Sequence, residues 1–321
     1  MMFDIPFFTQ IEEAEKILLC GAGGGFDVLG GVPLYFYLKE LNKKIRFASY
    51  SFTDFNNIKG KFINEHCKVI NYDTPISRDY IYFPEKILTD WFHNEQNIDV
   101  PIYTIKRIGP MLLRKTYEVI FEHFKYDTII LVDGGTDSLL LGNENKLGSF
   151  YEDITSIISV DNLKIDNIYQ TYLMVMGFGV DAHHGVSHYD VLSSIADLVK
   201  RDSFLGSLSL TKEMMHVENY ISLIEYANQK LPHHQSIVHN SIVDAIKGNF
   251  GNFHSTDRTT GSHLFINPLM AQIWFFDTFQ MVQRIPYARK LSSARDLDEV
   301  ERIISEFRRK VGIKRRQSIP L

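Results

Sequence analysis

Lys16-Ile17-Leu18-Leu19-Cys20-Gly21-Ala22-Gly23-Gly24-Gly25-Phe26-Asp27 is a short, unbroken apolar run that ends in a cluster of glycines. A run of this kind suits a strand buried on both faces of a parallel sheet, where helices cover each side. From Asp27 to Leu41 the pattern turns helical, with Leu34, Leu38 and Leu41 on one stripe. Pro33 interrupts this stretch and places the start of a helix there, because proline is tolerated in a first turn.

The same alternation continues outward. Ile45–Tyr50 reads as a strand, with weaker strand signals at Lys68–Tyr72 and Ile102–Lys106, and Gly109-Pro110 opens a helical stretch through His123. Thr128–Val132 and Tyr172–Met176 are two further apolar runs, each ending in a polar, glycine-containing loop. Strands alternating with helices predict βαβ units with right-handed crossovers. The expected class is therefore α/β: a Rossmann-like three-layer fold with a mostly parallel sheet and helices on both faces.

Beyond Arg201 the pattern is less regular. Helices are expected at Lys212–Lys230, Asn240–Lys247 and Asp296–Lys310, and late strands at His263–Ile266 and Ile273–Phe276. Residues 1–321 are read as a single α/β domain, in which 202–321 forms a C-terminal extension that completes the sheet or covers the ligand crevice.

A formal charge of -5, spread along the chain, gives nucleic acid no basic surface to meet, so no nucleic-acid partner is expected. The one basic cluster, Lys314-Arg315-Arg316, reads as a solvated tail. Two cysteines, Cys20 and Cys67, are too few for a disulfide framework or a cysteine-based zinc site. No apolar run reaches the roughly 18 residues of a membrane span, and no signal-peptide pattern opens the chain. The cytoplasm is the expected location, with no membrane partner; self-association stays open.

Function is sought in the loops after the three strongest strands, because ligands in open α/β sheets sit beyond the carboxyl ends of strands where the strand order reverses. In the order 3-2-1-4-5, with Thr128–Val132 as the fourth strand, the loops at 21–25 and 133–138 face each other and Gly177–His188 lies alongside. In the first loop Gly21, Gly23, Gly24 and Gly25 allow a close backbone approach to a phosphate or ribose, and Asp27 is expected to bond loop amides or a ribose hydroxyl. Phe26 stands where the dinucleotide fingerprint has its third glycine. The simpler reading is a tight turn with Asp27 as a helix cap.

The second loop, Asp133-Gly134-Gly135-Thr136-Asp137-Ser138, places two carboxylates four residues apart, able to hold a divalent cation, orient sugar hydroxyls or activate water. It is similar to the aspartate-rich strand-end loop of nucleoside hydrolases, which binds calcium and ribose, but lacks that family's paired aspartates. The simpler reading is an Asx-turn with Asp137 or Ser138 capping the next helix. Glu144, close downstream, is a lesser candidate.

In the third loop Gly179 precedes Asp181, His183, His184 and His188, a density that suits acid–base work near neutral pH. His188 is the first choice and His184 the second; Ser187 is the expected cap of the following helix. The later histidines, His216, His233, His234, His239, His254 and His263, fit no metal template and are read as surface or core residues. Asn252, Asp257 and Arg258 lie in a polar stretch that is either an ordinary loop or a lid.

Taken together, Gly21–Val28, Val132–Leu139, Gly177–Asp181, Gly185–His188 and Phe204–Gly206 make the sequence resemble domain-of-unknown-function family 1152, from about residue 15 to 285. The resemblance implies a nucleotide-binding α/β fold of the wider group that includes sirtuins and the NAD-binding domains of thiamine enzymes. The zinc cysteines of sirtuins are absent, which argues against a protein deacylase.

The expected function is a nucleotide- or nucleoside-binding enzyme, a hydrolase or transferase acting at an N-glycosidic bond of an NAD-like or nucleoside substrate. In it Gly134, Gly135, Thr136 and Ser138 line the ligand while Asp133, Asp137, Asp181, His184 and His188 carry the chemistry. Nucleotide or NAD and a divalent cation are the cofactor candidates. The rival is a nucleotide-binding sensor or assembly subunit without turnover. A phosphotransferase is disfavoured by the missing Walker lysine.

Overall fold

The computed structural model of the chain describes residues 4–76, 82–161, 163, 170–262 and 264–319. Its strands are β1 (Lys16–Gly21), β2 (Lys44–Tyr50), β3 (Lys61–Asn64), β4 (Cys67–Ile70), β5 (Ile102–Ile105), β6 (Thr128–Asp133), β7 (Gln170–Met176), β8 (Phe204–Ser209), β9 (Gly251–Asn252), β10 (Phe265–Ile266) and β11 (Gln272–Asp277). Nine of them form one sheet in the order β3-β4-β5-β2-β1-β6-β7-β11-β8. The five central strands pair in parallel, and β4 and β11 run against the rest.

Alternation along the strands explains the two helical layers. Ile17, Leu19, Ile130, Val132, Tyr172 and Met174 point to one core, while Leu18, Cys20, Ile129, Leu131, Leu173 and Val175 point to the other. The first core is covered by α1 (Pro6–Gln10), α2 (Asp27–Gly30), α3 (Val32–Glu40), α4 (Pro84–Gln96), α8 (Met215–Lys230) and α9 (Ile237–Ile246). The second is covered by α5 (Pro110–Phe124), α6 (Phe150–Val160), α7 (His188–Lys200), α10 (Thr278–Gln283), α11 (Ala288–Leu291) and α12 (Leu297–Val311). The chain winds away from β1 through β2 to β5 on one face, then returns beside β1 as β6 and continues on the other. The boundary between β1 and β6 is thus the switch point of a doubly wound sheet.

Several details depart from the sequence reading. The helix expected over 27–41 is broken at Gly31, where α2 gives way to α3 with Pro33 in its first turn. The strand at Lys68–Tyr72 stops at Ile70, because Asn71 and Thr74 close a turn in which the Asn71 amide donates to Thr74 Oγ1 at 3.0 Å. Of His263–Ile266, His263 lies outside the described residues, and Phe265–Ile266 pairs only with Gly251–Asn252, apart from the main sheet. Strands β3 and β8 and helices α4 and α6 lie outside the elements expected from the sequence. Residues 202–319 contribute β8 and β11 to the sheet edge and helices to both faces.

The tail is not merely solvated. Lys314 donates its Nζ to Glu144 Oε1 at 2.8 Å and its amide to Asn143 O at 2.8 Å. Glu144 also accepts from the amides of Leu141 and Gly142, so its carboxylate holds a loop together. Among the described residues no helix is long and apolar enough to cross a membrane.

Candidate functional site

The three strand-end loops meet at the switch point, and carboxylates join them. Asp27, the first residue of α2, accepts from Gly23 N at 2.6 Å through Oδ2 and from Gly134 N at 3.2 Å through Oδ1. It therefore does not cap its own helix; it closes the glycine loop and ties it to the loop after β6. Ala22 N donates to Val132 O at 2.8 Å, and Ser156 Oγ to Ala22 O at 2.6 Å, which fixes the turn from the opposite side. Gly24 has φ +90, and a side chain there would collide with the Phe52 ring and the Tyr50 carbonyl.

In the second loop the Asx-turn belongs to Asp133, not Asp137. Asp133 Oδ1 accepts from Gly135 N at 2.7 Å and Oδ2 from Ser138 N at 3.4 Å. Asp137 Oδ2 instead accepts from the amide and hydroxyl of Ser149, just before α6, and its Oδ1 has no hydrogen-bond partner. The third loop joins through Asp181, whose Oδ2 accepts from Thr136 N at 2.7 Å and Thr136 Oγ1 at 3.1 Å.

A fifth carboxylate, Asp153, enters from α6 and lay outside the residues expected from the sequence. It is fully buried, and neither of its oxygens has a hydrogen-bond partner. Asp27, Asp133 and Asp153 each offer an oxygen within 4.8 Å of the others. The available signal was compositional: Glu152-Asp153 is an acidic pair inside the otherwise uncharged stretch Phe150–Val160.

Electrostatics follow from burial and crowding. Burial raises the Asp27 carboxyl to about 8, with Asp137 and Asp181 adding to the rise against the pull of the Gly23 and Gly134 amides. Burial, then the neighbouring carboxylates, push Asp133, Asp137 and Asp153 well above the usual carboxylate range. Asp181 is also raised by burial, opposed by the Thr136 hydrogen bonds and by His184. Among the described residues none of the five forms an ion pair.

Beside the cluster lies a cavity of about 600 Å³ lined by Phe52, Lys146, Ser149, Glu152, His184 and Arg308, among others. It shares Ser149 with the Asp137 contact, and Glu152 precedes Asp153 in α6. Phe52 is 40% exposed, and the Arg107 guanidinium lies 4.7 Å from its ring centroid while pairing with Glu152.

His188 is directed elsewhere. It lines a separate cavity of about 340 Å³ with Phe178, Arg316 and Gln317, and burial lowers its pKa. Ser187 occupies the cap position of α7, but its hydroxyl donates to Gln317 O at 2.7 Å rather than to the helix. Gly179 has φ +88 and lies against the His188 ring.

The later histidines divide. His239 is buried and joins the site's scaffold through Phe26 O at 2.9 Å, whereas His216 faces Glu40 at 3.4 Å. Arg258 donates to Gln235 O at 2.7 Å within its own polar region.

The chain belongs to the DUF1152 family. The match, to a family described as a protein of unknown function, spans residues 18–313. No curated protein and no solved structure matches the chain, so the expected likeness to sirtuin-type folds is not confirmed by any comparison.

Proposed function

We propose that this DUF1152 protein is a nucleotide- or nucleoside-binding enzyme, a hydrolase or transferase acting at an N-glycosidic bond. The observation that carries the reading is the juxtaposition of a 600 Å³ cavity bearing an exposed aromatic ring and cationic side chains with five aspartates at the switch point. The volume suits a nucleotide-sized ligand. In this reading the base stacks on Phe52, phosphate meets Lys146 and Arg308, and ribose hydroxyls donate to the carboxylates below.

The unpartnered Asp137 Oδ1 is the site for proton acceptance. It takes a proton from water as the oxygen attacks the anomeric carbon, and the electron pair of the breaking C–N bond leaves with the base. Burial strengthens the hold of this carboxylate on a proton, which suits a proton acceptor. In this reading His184, which lines the cavity, protonates the departing base.

One observation favours the rival sensor reading: Asp133 and Asp181 already accept loop amides, which commits them to structure. A thermal-shift screen with nucleosides, nucleotides and NAD, followed by mass spectrometry, separates the two. A hit with new products supports the enzyme, and Asp137→Asn then abolishes turnover while Phe52→Ala weakens binding about ten-fold. A hit without products selects the sensor, and no hit at all overturns the nucleotide class.

A further inference from the structure

We propose that Asp27, Asp133 and Asp153 form a site for one hard divalent cation, of the Mg²⁺, Ca²⁺ or Mn²⁺ class, at the boundary between β1 and β6. The inference concerns the crevice described above but stands on the carboxylates alone, whatever organic ligand the cavity takes.

Geometry comes first. The three carboxylates come from the start of α2, the end of β6 and the first turns of α6, and an oxygen of each lies within 4.8 Å of the other two. Oxygens sharing one cation at roughly 2.0–2.6 Å are themselves about 3–5 Å apart, so this spacing is that of a common coordination sphere.

Hydrogen bonding supplies an independent observation. Asp133 and Asp27 have amide partners, but Asp153 has both oxygens buried with no donor in reach among the described residues. A fully buried carboxylate without a hydrogen bond or counter-ion is strongly disfavoured in water-excluded surroundings. Among the described residues no lysine or arginine pairs with it, and the charged groups that act on Asp153 most strongly, Asp133, Asp137, Asp27 and Glu152, are all acidic. A cation at the centre neutralises the group and completes its contacts.

Donor chemistry selects the ion. The cluster offers carboxylate oxygens and no sulfur, and the nearby His239 has Nδ1 engaged by Tyr220 and Nε2 by Phe26. An all-oxygen set favours magnesium, calcium or manganese over zinc or copper. Gly23 makes room for the arrangement, since a Cβ there would stand 2.2 Å from Asp153 Oδ1 and 2.9 Å from Asp27 Oδ2. Asp27 is the partly accessible residue of the three.

The test uses the full chain stripped with chelator and returned to metal-free buffer. Calorimetric titration with Mg²⁺, Ca²⁺ and Mn²⁺ is expected to reveal one site per chain, with a melting temperature that rises with ion concentration. Asp153→Asn and Gly23→Ala should each weaken binding by at least about ten-fold, because ligand charge and site geometry set the affinity for hard cations. Electron spin-echo measurements on the wild-type Mn²⁺ complex provide a readout that needs no variant: coupling to oxygen-bound water without histidine nitrogen is expected.

Absence of binding by all three ions at about millimolar concentration overturns the proposal. So does undiminished binding in a folded Asp153→Asn protein, or nitrogen coupling to the bound Mn²⁺. Ion binding without any nucleotide response leaves this inference standing and removes the nucleotide reading; nucleotide binding without ion binding does the reverse.

Discussion

His239→Phe is the substitution that most directly probes how the glycine loop is held. The Phe26 carbonyl can only accept, so His239 Nε2 carries the proton and donates to it at 2.9 Å, and Nδ1 accepts from the Tyr220 hydroxyl at 2.6 Å. Both side chains are buried, and burial lowers the His239 pKa to about 4. Phenylalanine keeps the ring but leaves the Tyr220 hydroxyl unpaired and removes one of two donors to the Phe26 carbonyl, which also accepts from Leu29 N at 2.8 Å; the expected cost is about 3 kcal/mol at pH 7.

The pH dependence has a definite sign. Between the ordinary value of about 6.5 and the folded value, the unfolded chain binds a proton that the folded chain refuses, so this contribution is fully present above pH 6.5 and falls as the pH drops. At pH 4.5 the wild type should have lost about 2.5 kcal/mol through this one group, while the variant loses none of it. The difference in urea stability between the two proteins should therefore shrink from about 3 to below about 1 kcal/mol as the pH falls from 7 to 4.5. Titrations shared by both proteins, including those of the aspartate cluster, cancel in the difference. A gap that stays constant or widens on acidification would mean that His239 is charged in the folded protein, and the assignment of its two hydrogen bonds would be wrong.

Two further outcomes follow from buried groups away from the cavity. Burial pushes the Cys20 and Cys67 thiols up, so neither should react with a disulfide reagent in the native protein, and both should react in guanidinium; prompt native labelling contradicts the burial. Asp127 Oδ2 accepts from Glu15 N and Lys16 N at 2.9 Å each and so anchors the start of β1, and Asp127→Ala should cost about 2 kcal/mol. An unchanged urea midpoint would show that water replaces both bonds without loss.

The central sheet was legible because its signals are local. Apolar runs such as Leu18–Cys20 and Ile129–Leu131 alternate between two cores, and a glycine loop after each of β1, β6 and β7 marks the strand end. The 3-2-1-4-5 order of β5, β2, β1, β6 and β7 then follows from the handedness of the crossovers. The edges were not legible in this way. β11 enters antiparallel between β7 and β8, a placement fixed by long-range pairing that no local pattern encodes. Helix α6 escaped for a related reason: every residue from Glu152 to Val160 is buried, its polar residues included, so its polar side chains do not mark a solvent face. That concealed Asp153, the one carboxylate of the cluster outside the segments that directly follow β1, β6 and β7.

The same contacts alter how the proposed ligand must lie. Three adjacent glycines after β1 suggest a phosphate cradle, yet the Gly23 amide is occupied by Asp27 Oδ2 and the Gly134 amide across the crevice by Asp27 Oδ1. A phosphate brought to that loop would find those two amides already taken by Asp27, with oxygens of Asp133 and Asp153 close by. Lys146 and Arg308 line the cavity wall away from these carboxylates. In the proposed reading the anionic end of a nucleotide therefore points outward to those two residues, and its hydroxyl-bearing sugar points inward to the acids. Glycine is required at Gly23 for a steric reason: it lets two carboxyl groups approach the backbone where any side chain would displace them, and groups so gathered call for a cation or for hydroxyl partners.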